Sequence, residues 1–292
     1  MKIGLFAPAG NPFATPDYLH LLGEATEERG FDSLWVAEHV VLFDEYASKY
    51  PYSADGKIPA GGEHGVLEPF TTLSFLAAAT KSVRLGTGIC LVPQRNPVYT
   101  AKEAAGLDWL SGGRFDFGIG VGWLEEEFDA VATPFARRGD RCREYIEVMK
   151  RLWCDEVSEH HGELYDLPAC RAYPKPVQQP HPPLHFGGES DAALRRVADI
   201  GQGWYGFSVD PEQLPERLAT LDKFLEERER TRDEIQVSIS PYLKGVDPDR
   251  VKRYAEAGVD QLIVIAFAFD RDTLLPTLDG LVETVVEPAR GL

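Results

Sequence analysis

Basic residues, sulfur and long apolar runs are all scarce in this 292-residue chain, and each shortage excludes something. Lys and Arg number 30 against 47 Asp and Glu, a formal net charge of −17. A surface this negative repels phosphate backbones and anionic lipid heads, so neither nucleic-acid nor membrane partners are expected. The four cysteines, Cys90, Cys142, Cys154 and Cys170, form no Cys-x-x-Cys pair. A chain this long has no need of disulfide staples, and a reducing cytoplasm is the expected compartment. No stretch reaches the ~18 consecutive apolar residues of a membrane span. The first residues, Met1-Lys2-Ile3-Gly4-Leu5-Phe6, read as a strand and lack the charged head, apolar run and cleavage site of a secretory signal.

Several catalytic signatures are missing too. No G-x-G-x-x-G follows the first strand, which argues against an open dinucleotide-binding sheet. No G-x-S-x-G elbow is present. The first strand ends Phe6-Ala7-Pro8-Ala9, without the His-x-His of many barrel hydrolases, and His160 and His161 stand in a proline-rich segment. No set of ligands has sensible metal-binding spacing, so no metal is expected.

What remains is alternation. Short β-branched or apolar runs are followed by amphipathic stretches, the rhythm of a parallel sheet or barrel. Strands are expected at 2–7, 33–37, 83–91, 114–120, 184–186, 203–207, 235–240 and 260–267. Helices are expected near 17–29, 69–80, 98–110, 124–130, 138–153, 190–200, 211–231, 248–257 and 271–286. Eight strands in one chain of this length predict a single α/β domain over residues 1–292, a (β/α)8 TIM-type barrel with insertions. Hydrophobic residues, 43% of the chain, are enough for its core. A long loop rich in Tyr, Pro and Gly spans 40–68 and includes Gly61-Gly62. A proline-rich insertion spans 155–182, with a hairpin expected around His161-Gly162.

In such a barrel the strand C-terminal ends carry the chemistry. The second strand ends in Glu38-His39. Imidazole suits proton transfer near neutral pH, and an adjacent carboxylate can orient it; a rim histidine satisfying hydrogen bonds is the other reading. Glycines alternate in the third strand (Gly86, Gly88) and the fourth (Gly118, Gly120, Gly122), leaving a bare face on which a flat ring can lie. Closure of the barrel alone explains the first pair. Trp123 follows as a wall, and Glu125-Glu126-Glu127 reads as a solvated first helical turn. Gly187-Gly188-Glu189-Ser190 opens a helix, either a simple capped loop or an anion site with Ser190 as cap. Arg137, Arg138 and Arg141 form the one basic cluster, able to draw in an anionic cofactor or, in the preferred reading, to pair with Glu125–Glu127 and Glu144.

The order of these motifs resembles the luciferase-like monooxygenase superfamily, and within it the oxidoreductases that use the deazaflavin coenzyme F420. The resemblance runs along nearly the whole chain. It rests on Gly30-Phe31-Asp32-Ser33-Leu34-Trp35-Val36 with Glu38-His39, on Tyr50-Pro51-Tyr52, and on Arg84-Leu85-Gly86-Thr87 with Arg95-Asn96-Pro97. Leu110-Ser111-Gly112-Gly113-Arg114 and Gly120-Val121-Gly122-Trp123-Leu124-Glu125-Glu126-Glu127-Phe128 extend it, as do Pro174-Lys175-Pro176 and Gly187-Gly188-Glu189-Ser190. It implies a tricyclic ring at the strand ends and a bulge with a non-proline cis peptide, by position Gly88-Ile89. It also implies a cofactor phosphate at Gly187, Gly188 and Ser190. Relatives carry an Asp-His pair where this chain has Glu38-His39, and Gly-Asp-Gly-Trp where it has Gly201-Gln202-Gly203-Trp204.

The expectation is therefore hydride transfer between coenzyme F420 and a small organic substrate. Glu38 and His39 would exchange the accompanying proton, and Phe43, Trp123 and the 40–68 loop would shape the substrate side. An FMN-dependent monooxygenase fed by a partner reductase is the alternative within the same fold, and a non-catalytic flavin-binding barrel the alternative outside enzymes. Relatives are often homodimers.

Overall fold

A computed structural model describes residues 1–7, 9–59 and 63–292. Pro8 and the Gly61-Gly62 stretch of the long loop lie outside the described residues. The chain begins β1 (Lys2–Phe6), α1 (Pro16–Glu28), β2 (Ser33–Val36), α2 (Pro69–Ala79) and β3 (Arg84–Thr87). It continues α3 (Pro97–Ser111), β4 (Phe115–Ile119), α4 (Glu125–Ala130) and α5 (Arg138–Cys154), then a hairpin of β5 (Ser158–His161) and β6 (Asp166–Cys170). The second half is β7 (Leu184–Gly187), α6 (Asp191–Ile200), β8 (Gly203–Phe207), α7 (Leu214–Glu226), β9 (Gln236–Ser240), α8 (Pro248–Glu256), β10 (Gln261–Ile265), α9 (Arg271–Leu281) and α10 (Glu287–Ala289). Eight parallel strands close in the order β1-β10-β9-β8-β7-β4-β3-β2, the expected barrel. The expected hairpin pairs His161 with Asp166 inside the proline-rich insertion. Among the described residues no helix is long and apolar enough to cross a membrane.

Local chemistry sets the element boundaries. Thr15, Asn96 and Ser190 each accept a backbone N–H at the start of α1, α3 and α6, and proline follows directly at Pro16 and Pro97. Each such cap stabilises its helix by about 1 kcal/mol. Gly112 closes α3 at φ +69°, a conformation that suits glycine. The third strand is shorter than its sequence suggests. Its ladder stops at Thr87, the Gly88–Ile89 peptide is cis, and the chain rejoins the sheet through a bridge between Cys90 and Ile119. The helix expected over 211–231 is confined to Leu214–Glu226, and that over 271–286 ends at Leu281 before a π-helical turn.

Side-chain alternation sorts the core into two layers. On β4, Phe115 and Phe117 face the helices and pack with Phe70 and Trp153. Asp116 and Gly118 face the barrel interior, where Asp116 pairs with Arg84 at 2.6 Å and lies 3.7 Å from His185. The interior is filled by Trp35, Tyr205 and Ile263. The Trp35 indole donates to Ser33 Oγ at 2.8 Å, and Ser33 donates to Gln261 at 3.1 Å.

Gly86 lies beside Trp35 in the β2–β3 register, and a Cβ on it would fall 2.3 Å from the indole. A Cβ on Gly118 would fall 1.8 Å from the Thr87 carbonyl oxygen and 3.3 Å from the same indole. The bare face expected along both glycine series is thus filled at its deeper end by the protein itself. Only Gly88, Gly120 and Gly122 reach the barrel mouth.

Candidate active site

The strand C-terminal ends open into a cavity of about 710 Å³. That volume lies in the range of roughly 300–1,000 Å³ typical of small-molecule sites. Of the residues expected from sequence, Glu38, His39, Gly88, Ile89, Gly120, Gly122, Trp123, Gly187 and Gly188 all line it. Phe43 does not; its half-buried side chain stands outside the lining, and its neighbour Leu42 takes that place. Ser190 is not on the lining either. Its hydroxyl oxygen accepts from Ala193 N at 3.2 Å and caps α6.

Glu38 and His39 follow β2 in sequence but serve different neighbourhoods. The buried Glu38 carboxylate accepts from Arg95 Nε at 2.6 Å and from Leu91 N at 2.5 Å. Arg95 also binds Glu68 and Glu103, so Glu38 belongs to an ion-pair network that fixes the chain after β3. This corrects the expectation that Glu38 orients or shares the proton of His39. Both side chains reach the cavity lining, but the carboxylate of Glu38 is taken up by Arg95 and Leu91 N rather than by the imidazole next to it. Burial, and then the neighbouring Glu38, push the Cys90 thiol well above its ordinary range, which leaves it neutral and unreactive.

The carboxylate beside His39 is Glu127. Its Oε2 lies 3.4 Å from the buried His39 Nδ1, slightly longer than a good hydrogen bond. Glu127 is fully buried and accepts from Val40 N at 2.6 Å and Gln94 Nε2 at 3.0 Å. It therefore fixes the chain leaving His39, while the His39 Nδ1 beside it is buried without a hydrogen-bond partner. The acidic run was expected to be solvated, yet Glu126 also turns to the long loop, accepting from Ala47 N at 2.6 Å and Ser48 N at 3.2 Å. Burial works against its ionisation, but the hydrogen bonds from Ser48 and Ala47 hold the Glu126 carboxyl down to about 2. Spacing offered a signal for this: Glu127 is the one member of the run at i−1 to the buried Phe128, with Leu124 buried one turn before.

The long loop is packed over the mouth by aromatic rings. Trp123 meets His39, Tyr46 and Tyr50 edge-on at centroid distances of 6.1, 5.7 and 5.1 Å. Tyr52 packs on Phe207 at 4.8 Å and donates to Glu189 at 3.0 Å. Glu189 also accepts from Phe207 N at 2.7 Å; burial pushes its carboxyl above the usual range, against both hydrogen bonds. The expected partners of the basic cluster are not the observed ones. Arg137 pairs with Glu163 and Asp140, Arg138 donates to the Gly122 carbonyl at 3.0 Å, and Arg141 to the Pro134 carbonyl at 2.6 Å. Glu144 instead binds backbone N–H groups of Leu164 and Tyr165 in the hairpin turn.

One wall of the cavity is smooth. Gly88, Gly120 and Gly187 end the adjacent strands β3, β4 and β7, and the Ile89 side chain lies across the last two. A Cβ on Gly120 would sit 2.0 Å from Ile89 Cδ1, and one on Gly187 2.7 Å from the same atom. Backbone and one isoleucine thus form an apolar surface that suits the face of a planar ring, with the start of α6 at its edge.

A family model described as luciferase-like monooxygenase matches residues 1–271. An uncharacterized protein of Mycobacterium bovis is 35% identical over 244 residues, covering 83% of each chain. The oxygenase component of the flavin-dependent trigonelline monooxygenase of Acinetobacter baylyi is 38% identical over 131 residues, 42% of this chain and 36% of that one. Among solved structures, the coenzyme F420 dependent tetrahydromethanopterin reductase from Methanopyrus kandleri superposes with a TM-score of 0.77 at 17% identity, covering 98% of both chains, a likeness of fold.

Proposed function

Since the chain belongs to the luciferase-like monooxygenase family, we propose that it is an oxidoreductase using coenzyme F420 to transfer a hydride to or from a small organic substrate. The observation that carries this reading is one cavity with two complementary features. A smooth wall of Gly88, Ile89, Gly120 and Gly187 suits a planar ring, and His39 is the histidine on the lining backed by a buried carboxylate. Bound on that wall, the deazaflavin would supply the hydride donor or acceptor, with Gly187, Gly188 and the start of α6 holding its phosphate.

The chain's own residues do the rest. Glu127 stands beside the Nδ1 edge of His39, and Nε2 would give a proton to, or take one from, a substrate oxygen. Glu38, through Arg95 and Leu91 N, fixes the turn that carries Ile89. Trp123, Tyr50 and Tyr52 close the loop over the site and exclude water. His39→Ala is expected to lower turnover by about 10²–10⁴-fold, while cofactor affinity stays within a few-fold. Unchanged turnover removes the proton-transfer role. The partial match to a flavin-dependent oxygenase component favours one second reading, an FMN-dependent monooxygenase supplied by a partner reductase.

A further inference from the structure

The strand order divides the barrel mouth into two arcs. The glycine-bearing ends of β3, β4 and β7 are contiguous, and so are β8, β9, β10 and β1 on the other side. From this second arc and the loops that follow it, Phe207, Tyr242, Phe267, Phe269 and Phe13 converge on the cavity. Phe207 and Tyr242 are 4.5 Å apart and Phe13 and Phe269 4.7 Å, so the rings form two packed pairs. Phe267 is 57% exposed, Phe13 40% and Phe269 39%, so at the mouth this arc presents open aromatic surface.

Charge is missing from the same wall. Among the described residues no Lys, Arg or Asp reaches the cavity lining, and the one carboxylate there, Glu38, is already bound by Arg95 and Leu91 N. A charged substrate group carried inside would lose its hydration with no permanently charged side chain free to pair with it, His39 and His64 being the titratable groups on the lining, at a cost of several kcal/mol. An aromatic or branched apolar body would instead remove ring surface from water. Between the two arcs, at the end of β2, stands His39.

We infer that the substrate is an uncharged, predominantly aromatic or apolar molecule with one alcohol or carbonyl oxygen. Its apolar body lies on the β8–β9–β10–β1 arc and its oxygen faces His39. The inference rests on the reading of this cavity as an oxidoreductase site. It separates the substrate's place from the glycine wall, and it excludes sugar phosphates, sulfonates and carboxylates as substrates.

The test is equilibrium binding to the full chain, with and without coenzyme F420, by calorimetry. The probes are acetophenone, benzoate and benzamidine, similar in shape but neutral, anionic and cationic. Acetophenone is expected to bind at least ~10-fold tighter than either ion, and each added methylene from acetophenone to butyrophenone to tighten binding by up to ~4-fold. Phe269→Ala is expected to weaken acetophenone by ~10-fold while the F420 titration is unchanged. Equal or tighter binding of either ion, indifference to Phe269→Ala, or no binding of acetophenone overturns the inference. Neutral-probe preference without F420 binding sinks the cofactor reading alone; F420 binding with ion preference sinks the substrate class alone.

Discussion

Replacing Gly120 with alanine tests the smooth wall directly. The added methyl group would stand 2.0 Å from Ile89 Cδ1, 2.9 Å from Ile89 Cγ1 and 3.6 Å from Leu91 Cδ2. The backbone at Gly120 is not in the left-handed region, so the conflict is one of space alone. Ile89 has little freedom to yield toward β7, because its Cδ1 already lies 2.7 Å from where a Gly187 Cβ would stand. Its remaining exit is into the cavity. Overpacking of this kind costs about 1–3 kcal/mol. For a domain of this size that lowers Tm by roughly 2–4 °C for each kcal/mol.

The decisive assay is a double-mutant cycle by chemical unfolding. Ile89→Ala removes both atoms in conflict, so Gly120→Ala in that background should cost less than ~0.5 kcal/mol, a coupling of about 0.5–3 kcal/mol. If Gly120→Ala costs the same in both backgrounds, Ile89 does not lie across the glycine and the description of the wall is wrong. In the wild-type background the displaced isoleucine should also weaken cofactor binding.

Glu127→Gln keeps the shape but removes the charge that accepts from Val40 N and Gln94 and lies beside His39. It is expected to cost about 1.5–3 kcal/mol in unfolding measurements and to shift the pH profile of kcat with less effect on KM; an unchanged profile removes its positioning role. Glu189 gives a pH dependence of definite sign. Its carboxyl is raised by burial, so the folded chain keeps a proton that the unfolded chain has lost. Stability from this group therefore falls as pH rises from the ordinary carboxylate range through the raised folded value. Glu189→Gln removes that slope, and urea unfolding across about pH 4–7 should find wild type losing stability relative to the variant; a relative gain contradicts it.

The barrel was legible because eight alternations of apolar strand and amphipathic helix in one chain leave few other folds, and capping residues such as Asn96-Pro97 mark their own elements. The site was legible in part. Glycines at strand ends pointed to residues that line the cavity, Gly88, Gly120 and Gly122, but spacing alone cannot say which glycine reaches it. Gly86 and Gly118 serve Trp35 and the Thr87 carbonyl, about two residues deeper in the barrel.

Carboxylate partners were the least legible feature. Glu38 is next to His39 in sequence and directed to Arg95; Glu127 is far off in sequence and beside it in space. The second pairing exists only because the loop after β2 folds onto α4, donating Val40 N to Glu127 and Ala47 N to Glu126. Phe43 is off the lining for a related reason: which of Leu42 and Phe43 faces the cavity depends on that loop's path, and loops carry no periodicity to read.

The most direct measurement is an equilibrium titration of the purified chain with coenzyme F420 and, separately, with FMN, followed by cofactor fluorescence. F420 is expected to bind saturably and more weakly to Gly120→Ala, and FMN not to bind at comparable concentrations. Tight FMN binding with no affinity for F420 would contradict this and move the chain to flavin chemistry on the same wall.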